Sequence, residues 1–370
     1  MSVTAPEGFV ASGVHCGIRK PGRRDLALVR SLEPATGAAM FTANRVQAAP
    51  VLVSREHLEV AQPQAVVVNS GVANAATGTR GIADARATAA EAGQLLGVAA
   101  EEVLVLSTGV IGEPLPLAKV LVGVSAAALQ LTRSGGAAAA EAIMTTDTRA
   151  KEAVSRGAGF TVGGMAKGSG MIHPNLATML AVVTTDYPLE PGEAFEFLQP
   201  AVDASFNAIS VDGECSTNDT VVLLANGASG VERTPASDLD FALCLRSACA
   251  DLARQIVADG EGATVLAEIA VRGAASGPEA RAIAERVATS PLVKTALHGH
   301  DANWGRIASA AGSARFDGGM PSSTPTGCRS RSTACPSWSP ARRPATNPSS
   351  RTAAARSSST WRSGAATQRT

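Results

Sequence analysis

Residues 165–186 read Met-Ala-Lys-Gly-Ser-Gly-Met-Ile-His-Pro-Asn-Leu-Ala-Thr-Met-Leu-Ala-Val-Val-Thr-Thr-Asp and join a turn to an apolar run. The glycines and the Pro174-Asn175 pair permit tight backbone geometry ahead of the run at 179–183. Thr178 therefore stands at the entrance of a predicted buried strand. Such a position suits a nucleophile. It also suits an ordinary loop residue, which the pattern alone favours.

Apolar runs and helical patterns alternate along the rest of the chain, which predicts a mixed α/β fold. Strands are predicted at residues 48–54, 65–68, 103–106, 179–185, 221–225 and 264–271. Helices are predicted at residues 82–97, 116–132, 138–146, 191–204, 237–258 and 277–289. The helix at 237–258 has the strongest signal, because acidic residues suit its first turn and one apolar face follows. Residues 207–220 are predicted to form a polar loop.

Composition and charge narrow the class of protein. The chain has 370 residues, 45% hydrophobic and 17% charged, which is typical of one large or two ordinary globular domains. It has 32 basic and 32 acidic residues, but residues 321–370 hold eight Arg and no acid, so 1–320 carry 24 basic against 32 acidic groups. An acidic body argues against a nucleic-acid partner. Without a signal segment or membrane span, the expected location is cytoplasmic, with the six cysteines reduced.

The last fifty residues differ in kind from the rest. Residues 321–370 contain no Leu, Ile, Val, Met or Phe and are rich in Ser, Arg, Thr, Ala and Pro. Such a segment cannot bury enough apolar surface to order itself. It is either a disordered basic tail or a translated wrong reading frame, and the abrupt loss of the apolar pattern near residue 317 favours the frame error.

The segment from Lys167 to Leu180 resembles the self-cleaving site of the ornithine acetyltransferase family, the glutamate N-acetyltransferases of arginine biosynthesis. Further similar segments lie in the same order at residues 69–78, 107–112, 143–148, 216–220, 259–263, 290–296 and 299–306. The resemblance covers about residues 7–317. It implies a layered αββα fold of the N-terminal-nucleophile type with a second, smaller α/β domain. It also implies an N-terminal chain 1–177, a C-terminal core 178–317 and a tail 318–370.

The resemblance implies that the chain cleaves itself between Ala177 and Thr178. Acyl transfer through a covalent intermediate needs an activated hydroxyl. Cleavage would free the α-amine of Thr178, whose ordinary pKa of about 7.7–8.0 suits a base near neutral pH. The family moves acetyl from N-acetylornithine to glutamate in two ping-pong steps without cofactor or metal, and acetyl-CoA is a further substrate in bifunctional members. Two N-terminal and two C-terminal chains are expected to associate.

Five other residues match positions with roles in the family. Thr108 and Gly109 match its oxyanion hole, while Thr145, Lys167 and Glu261 match substrate contacts. A lysine suits a substrate carboxylate, and a glutamate suits the amino groups of ornithine. Each residue also has an ordinary structural interpretation, as a turn, a helix-end hydroxyl or a solvated loop charge. The family match is what favours the functional interpretation.

Three alternatives remain open at this point. One is an acetyltransferase of secondary metabolism on the same scaffold, and another is an N-terminal-nucleophile aminopeptidase, although those relatives have serine at the cut site. The third is an inactive protein, because the aberrant tail replaces a C-terminal segment that reaches the active site in the family.

Two groups of residues have a superficial likeness to metal sites: His298, His300 and Asp301, and the loop acids Asp212, Glu214 and Asp219. The first group has no further ligand cluster beside it. The second lacks the EF-hand pattern. We expect structural, loop and capping roles for both groups and no metal.

Overall fold

The computed structural model describes residues 2–173 and 179–316, and the chain divides into two compact units, Met1–Glu261 and Gly262–Thr370. In the described ranges the strands are β1 (Phe9–Val14), β2 (Leu26–Ser31), β3 (Thr36–Phe41), β4 (Ala65–Val72), β5 (Val103–Val110), β6 (Lys151–Arg156), β7 (Thr161–Lys167), β8 (Leu180–Thr185) and β9 (Thr220–Ala225). The helices there are α1 (Ala49–Val60), α2 (Gly78–Leu96), α3 (Leu117–Leu129), α4 (Gly136–Ala142), α5 (Ala194–Asp203), α6 (Pro235–Ala258), α7 (Gly277–Ala288), α8 (Pro291–His298) and α9 (Trp304–Gly312). None of these helices is long and apolar enough to cross a membrane.

The first unit has four layers. One sheet has the order β1-β2-β4-β5 and the other β3-β9-β8-β7-β6. Apolar side chains from both sheets fill the space between them, among them Val66, Val68 and Leu104 from the first and Met165, Leu180 and Val182 from the second. Helices α1, α2 and α3 cover the outer face of the first sheet, and α5 and α6 cover that of the second. The predicted mixed α/β class and the αββα layering are confirmed.

The helix predicted at residues 237–258 is confirmed as α6. Its N-cap is Thr234, whose hydroxyl accepts the Ser237 N–H at 3.1 Å, and Pro235 occupies the first turn, where its missing N–H costs nothing. The helix therefore begins two residues before the predicted start. The buried face of the helix includes the residues that the spacing predicted, Leu245, Cys249, Leu252 and Ile256.

The strand predicted at residues 48–54 is wrong, because these residues begin helix α1. Pro50 lies in the first turn, and the buried side chains Val51, Val53, Ser54 and His57 continue over the following turns. A short apolar run does not distinguish a strand from a buried helix, and only the full length of the segment does. Valine is enriched in strands, so the run predicted the wrong element here.

The second unit is helical over its described residues. Ser276 and Ser290 cap α7 and α8, since each hydroxyl accepts a backbone N–H of the first turn. Val287, Val293 and Ala310 form the small core of this unit. The strand predicted at 264–271 is wrong, because these residues have no regular secondary structure. Within this unit His298 Nδ1 lies 3.0 Å from the Thr264 hydroxyl, a structural contact.

The signature segment connects two neighbouring strands of the second sheet. Strands β7 and β8 pair antiparallel as far as Lys167 and Leu180, and β8 pairs parallel with β9 from Leu180 and Thr220 onward. Residues 168–179 therefore join β7 to β8 at one end of the sheet. The predicted nucleophile Thr178 and its predicted cleavage partner Ala177 lie outside the described residues.

Candidate active site

A buried lysine marks the end of β7. The Lys167 side chain is only 2% exposed, and this burial lowers the pKa of its ammonium group. The carboxylates of Asp147, Asp219 and Glu261 attract its positive charge and partly oppose that shift. Three acidic side chains from distant parts of the chain thus surround the lysine that the sequence predicted to bind substrate.

Asp147 connects Lys167 with Thr145, another predicted substrate contact. The Asp147 carboxylate accepts the Thr145 N–H at 2.8 Å through one oxygen and the Gly168 N–H at 2.7 Å through the other. Burial alone would raise the pKa of Asp147. The charges of Lys167 and Lys151, with these hydrogen bonds, hold that pKa below its ordinary value. A charged carboxylate therefore joins the Thr145 turn to the end of β7.

A second buried lysine completes this network. Lys151 Nζ lies 2.5 Å from Asp147 Oδ1 and 2.7 Å from Asp259 Oδ2. Asp259 also binds the Thr148 hydroxyl through Oδ1 and accepts the Thr148 N–H at 3.0 Å through Oδ2. We call Asp147, Lys151 and Asp259 the closed cluster, because all four carboxylate oxygens have partners. A buried ion pair is favourable only when its remaining polar atoms are satisfied in this way.

Glu261 follows the closed cluster along the chain and lies against the turn after Lys167. Its N–H donates to the Ser169 carbonyl at 2.7 Å. A Cβ added at Gly170 would lie 2.7 Å from the carboxyl carbon of Glu261, so this side chain lies against the turn. The Glu261 residue is exposed to solvent. The structure therefore brings Thr145, Lys167 and Glu261 to one end of β7, as a common substrate site requires.

Two carboxylates from the polar loop at 207–220 bind the signature segment on either side of its undescribed part. Asp212 accepts the N–H groups of Met171 at 2.5 Å and Ile172 at 2.9 Å. Asp219 Oδ1 accepts the Met179 N–H at 2.9 Å. These acids bind backbone amides, as their expected loop roles require. In residues 2–173 and 179–316, no three His, Cys, Asp or Glu side chains group as a metal site.

The predicted oxyanion residues lie near the end of β5. Gly109 has φ +134°, and a Cβ there would lie 2.2 Å from the Gly71 carbonyl carbon on β4. Only glycine fits this close approach of two backbones. Thr108 precedes it and is 4% exposed. The local geometry thus explains the glycine without any reference to catalysis, and the catalytic role of both residues stays a prediction.

Asn218 links this turn to the signature segment. Its side-chain amide donates to the Ser107 carbonyl at 2.8 Å and to the Ala73 carbonyl at 2.7 Å. The next residue, Asp219, binds the Met179 N–H. Asn218 thus binds the strand that carries Thr108, and Asp219 binds the backbone that follows Thr178. These two adjacent residues connect the two sheets at the predicted site.

These supporting residues were not predicted to belong to the site, although part of their signal is present in the sequence. Asp147 and Asp259 stand inside family-like segments in which only Thr145 and Glu261 received functional roles. Asn218 received no role, and Asp219 was expected to be a loop acid. Lys151 follows Asp147 by four residues, a spacing that could have suggested a pair. The contact of Lys151 with Asp259 crosses 108 positions, so no local pattern could have shown it.

The αββα layers, with buried charges beside the turn after β7, match the N-terminal-nucleophile architecture that the resemblance implies. The model of the ArgJ family matches residues 10–324. The chain belongs to the ArgJ family, which confirms the resemblance drawn from the motifs.

Similar proteins agree over most of the chain. An "Arginine biosynthesis bifunctional protein ArgJ" of Thermobifida fusca is 49% identical over 84% of this chain and 81% of its own length. A protein of the same name from Symbiobacterium thermophilum is 50% identical over 86% of this chain and 82% of its own length. A crystal structure of ornithine acetyltransferase complexed with ornithine from Mycobacterium tuberculosis is 42% identical, covering 48% of this chain and 96% of that one, with a TM-score of 0.43.

Proposed function

We propose that this protein is a glutamate N-acetyltransferase of arginine biosynthesis that cleaves itself before Thr178 and uses that threonine as its nucleophile. The observation that supports this most strongly is the convergence of Thr145, Lys167 and Glu261 at the end of β7, next to the signature segment of an ArgJ-family chain. The relatives' names supply the biosynthetic context. We expect a cytoplasmic enzyme of two N-terminal and two C-terminal chains.

In the first step, the Thr178 hydroxyl attacks the Ala177 carbonyl carbon and the peptide C–N bond breaks. The acyl group moves to oxygen, the hydroxyl proton ends on the new amine, and water then hydrolyses the ester. The product is a threonine with a free α-amine beside its own hydroxyl. Such an amine can take the hydroxyl proton near neutral pH, so one residue supplies both nucleophile and base.

In the second step, the Thr178 oxygen takes the acetyl group from N2-acetylornithine and releases ornithine. Glutamate then attacks the acetyl ester through its amine, giving N-acetylglutamate and the free hydroxyl. Thr108 and Gly109 would donate hydrogen bonds to the oxyanion of each tetrahedral intermediate, and losing one such donor costs about 10²–10³ in rate. The reaction needs no cofactor or metal.

The three predicted contact residues would bind different parts of the substrate. Lys167 would bind a substrate carboxylate, because an incoming negative charge restores the ammonium that burial disfavours. Glu261, exposed beside the turn, would bind the amino groups of ornithine. Thr145 would supply a hydroxyl to the polar part of the substrate, with its backbone held by Asp147.

A second activity, acetylation of glutamate from acetyl-CoA, is favoured by the word "bifunctional" in the names of relatives that share about half of their residues with this chain. The same acetyl-threonine ester could form from the thioester. This activity is tested by supplying acetyl-CoA in place of N-acetylornithine and measuring N-acetylglutamate.

The test compares the parent chain with Thr178→Ala and Thr178→Ser on a denaturing gel and in an assay of ornithine release. We expect two fragments and transfer activity from the parent and from the serine variant, and one uncut, inactive band from the alanine variant. An uncut parent that releases no ornithine would instead support an inactive chain. Fragments and peptidase activity without acetyl transfer would favour the aminopeptidase alternative.

A further inference from the structure

A charged side chain on the loop between β1 and β2 binds the backbone at Thr145. The Arg19 guanidinium donates to the Met144 carbonyl at 2.6 Å through Nη1 and to the Thr145 carbonyl at 3.0 Å through Nη2. The N–H groups of a guanidinium lie in one rigid plane, so a pair of them fixes the direction as well as the distance of the groups they bind. Arg19 therefore sets the orientation of two successive peptide groups.

Thr145 has no regular secondary structure of its own to fix its backbone. It lies in the segment between α4, which ends at Ala142, and β6, which begins at Lys151. Its N–H donates to the Asp147 carboxylate at 2.8 Å, and its carbonyl accepts from Arg19. Hydrogen bonds to charged groups are roughly twice as strong as neutral ones. A negative side chain thus binds one end of Thr145 and a positive side chain the other, in place of a strand or helix ladder.

The loop that carries Arg19 is itself fixed by a fully buried carboxylate, that of Asp25. Its oxygens accept three backbone N–H groups, those of Cys16 at 2.6 Å, Ile18 at 2.8 Å and Arg19 at 2.9 Å. Burial alone would raise the pKa of Asp25, but the hydrogen bonds hold that pKa below its ordinary value. The Asp25 carboxylate is therefore charged near neutral pH and fixes the backbone from which the Arg19 side chain extends.

The same loop lies against the strand beside the predicted oxyanion turn. A Cβ added at Gly71 would lie 2.7 Å from Ile18 Cγ2 and 3.1 Å from Arg19 Cγ. Gly71 on β4 is the register partner of Gly109 on β5. Glycine at this position lets the stem of Arg19 pack directly on the strand. The loop thus contacts both the oxyanion strand pair and the Thr145 backbone.

We propose that Arg19 is a positioning residue for substrate binding, which holds the Met144–Thr145 backbone so that the Thr145 hydroxyl faces the substrate. This inference rests on the proposed function, since it assumes that Thr145 binds N-acetylornithine. The two contacts of the guanidinium are with backbone carbonyls, so Arg19 acts through Thr145. Loss of Arg19 should therefore weaken the same substrate contact that loss of the Thr145 hydroxyl removes.

The test is a double-mutant cycle on the KM for N-acetylornithine, with Arg19→Met, Thr145→Val and the double variant. A single hydrogen bond contributes modestly to binding, so each single change should raise KM about fivefold. The kcat should stay within about twofold, because the contact is made equally in the ground state and the transition state. Since both changes remove one contact, the double variant should match Thr145→Val alone. A KM that rises by the product of the two single effects would overturn the inference.

The division of the effect between KM and kcat separates positioning from a purely structural role. If Arg19 only stabilised the fold, Arg19→Met would reduce the fraction of folded enzyme, which lowers the apparent kcat and leaves KM unchanged. The matched control is Arg24→Met, because Arg24 lies on the same loop and its guanidinium donates to the Gly13 carbonyl. The control should keep the KM of the parent. An equal rise in KM for both variants would show a general effect of the loop and would contradict a specific role for Arg19.

Arg19→Lys provides a second variant should Arg19→Met fail to fold. Lysine keeps the charge and much of the stem, but one ammonium lacks the planar fork that binds two carbonyls. We expect its KM to lie between those of the parent and Arg19→Met, with kcat unchanged. A KM equal to that of the parent would overturn the inference alone. A parent chain that transfers no acetyl group would overturn the proposed function and this inference with it.

Discussion

Two lysines that are neighbours across one strand pair have opposite surroundings. Lys151 on β6 pairs with Ala166 on β7, the residue before Lys167, and both lysine side chains are buried. Lys151 belongs to the closed cluster, in which every carboxylate oxygen has a partner. Lys167 and Asp219, which we call the open pair, include Asp219 Oδ2, which has no hydrogen-bond partner among the described residues. Complete pairing suits a structural role, whereas incomplete pairing leaves capacity for protons and substrate.

The largest expected effect comes from breaking the closed cluster. Lys151→Met would leave two buried carboxylates without their shared cation, which should lower the free energy of unfolding by about 3–5 kcal/mol. Urea denaturation measures this loss. Lys119→Met is the control, because Lys119 is an exposed lysine whose Nζ binds a carbonyl, and its change should stay within about 0.5 kcal/mol. Equal stability of the two variants would contradict a structural role for the closed cluster.

An effect of similar size on turnover, but not on stability, is expected at the oxyanion turn. Thr108→Val keeps the shape of the buried side chain and removes its hydroxyl. We expect kcat for acetyl transfer to fall about 10²–10³-fold with little change in KM, because the lost hydrogen bond strengthens only in the transition state. An unchanged kcat would remove Thr108 from the mechanism and would leave Asn218 with a purely structural role.

A smaller effect, and of a different kind, is expected at the open pair. In Lys167→Met the neighbouring Asp219 can stay protonated and Asp147 keeps its contact with Lys151, so the free energy of unfolding should fall by less than in Lys151→Met. The KM for N-acetylornithine should rise about tenfold or more, equivalent to about 1.4 kcal/mol of binding. Steady-state kinetics and urea denaturation of the same preparation check both parts. A stability loss as large as that of Lys151→Met would show that both lysines are structural.

The smallest expected effect is a difference in the pH dependence of stability. The folded pKa of Asp219 is raised, so its acid form contributes stability that is complete below about pH 3.9 and is lost as pH rises through the folded pKa. The unfolding free energy of the parent minus that of Asp219→Asn should therefore decrease with rising pH.

Asp147 gives the opposite sign and serves as the control. Its folded pKa is lowered, so its contribution is present above about pH 3.9 and is lost as pH falls through the folded pKa. The corresponding difference for Asp147→Asn should increase with rising pH. Two slopes of the same sign, measured from melting temperatures over a pH series, would contradict the contrast between the closed cluster and the open pair.

Sequence patterns predicted the elements whose signal is local and missed the contacts that are not. Strands β4, β5, β8 and β9 and helix α6 follow from runs and spacings within a few residues. Helix α1 was mistaken for a strand because a short apolar run fits both. The motif segments indicated which residues form the site but not which contacts position them. The closed cluster joins residues more than 100 positions apart, and the incomplete bonding of Asp219 within residues 2–173 and 179–316 depends on the folded structure.

Intact-mass measurement of the purified protein shows whether the chain divides before Thr178. Self-cleavage predicts one fragment of 177 residues and a second, of the remaining 193 of the 370, that begins with threonine, and a single uncut mass for Thr178→Ala. A single mass of 370 residues in parent protein that still releases ornithine from N-acetylornithine would contradict it.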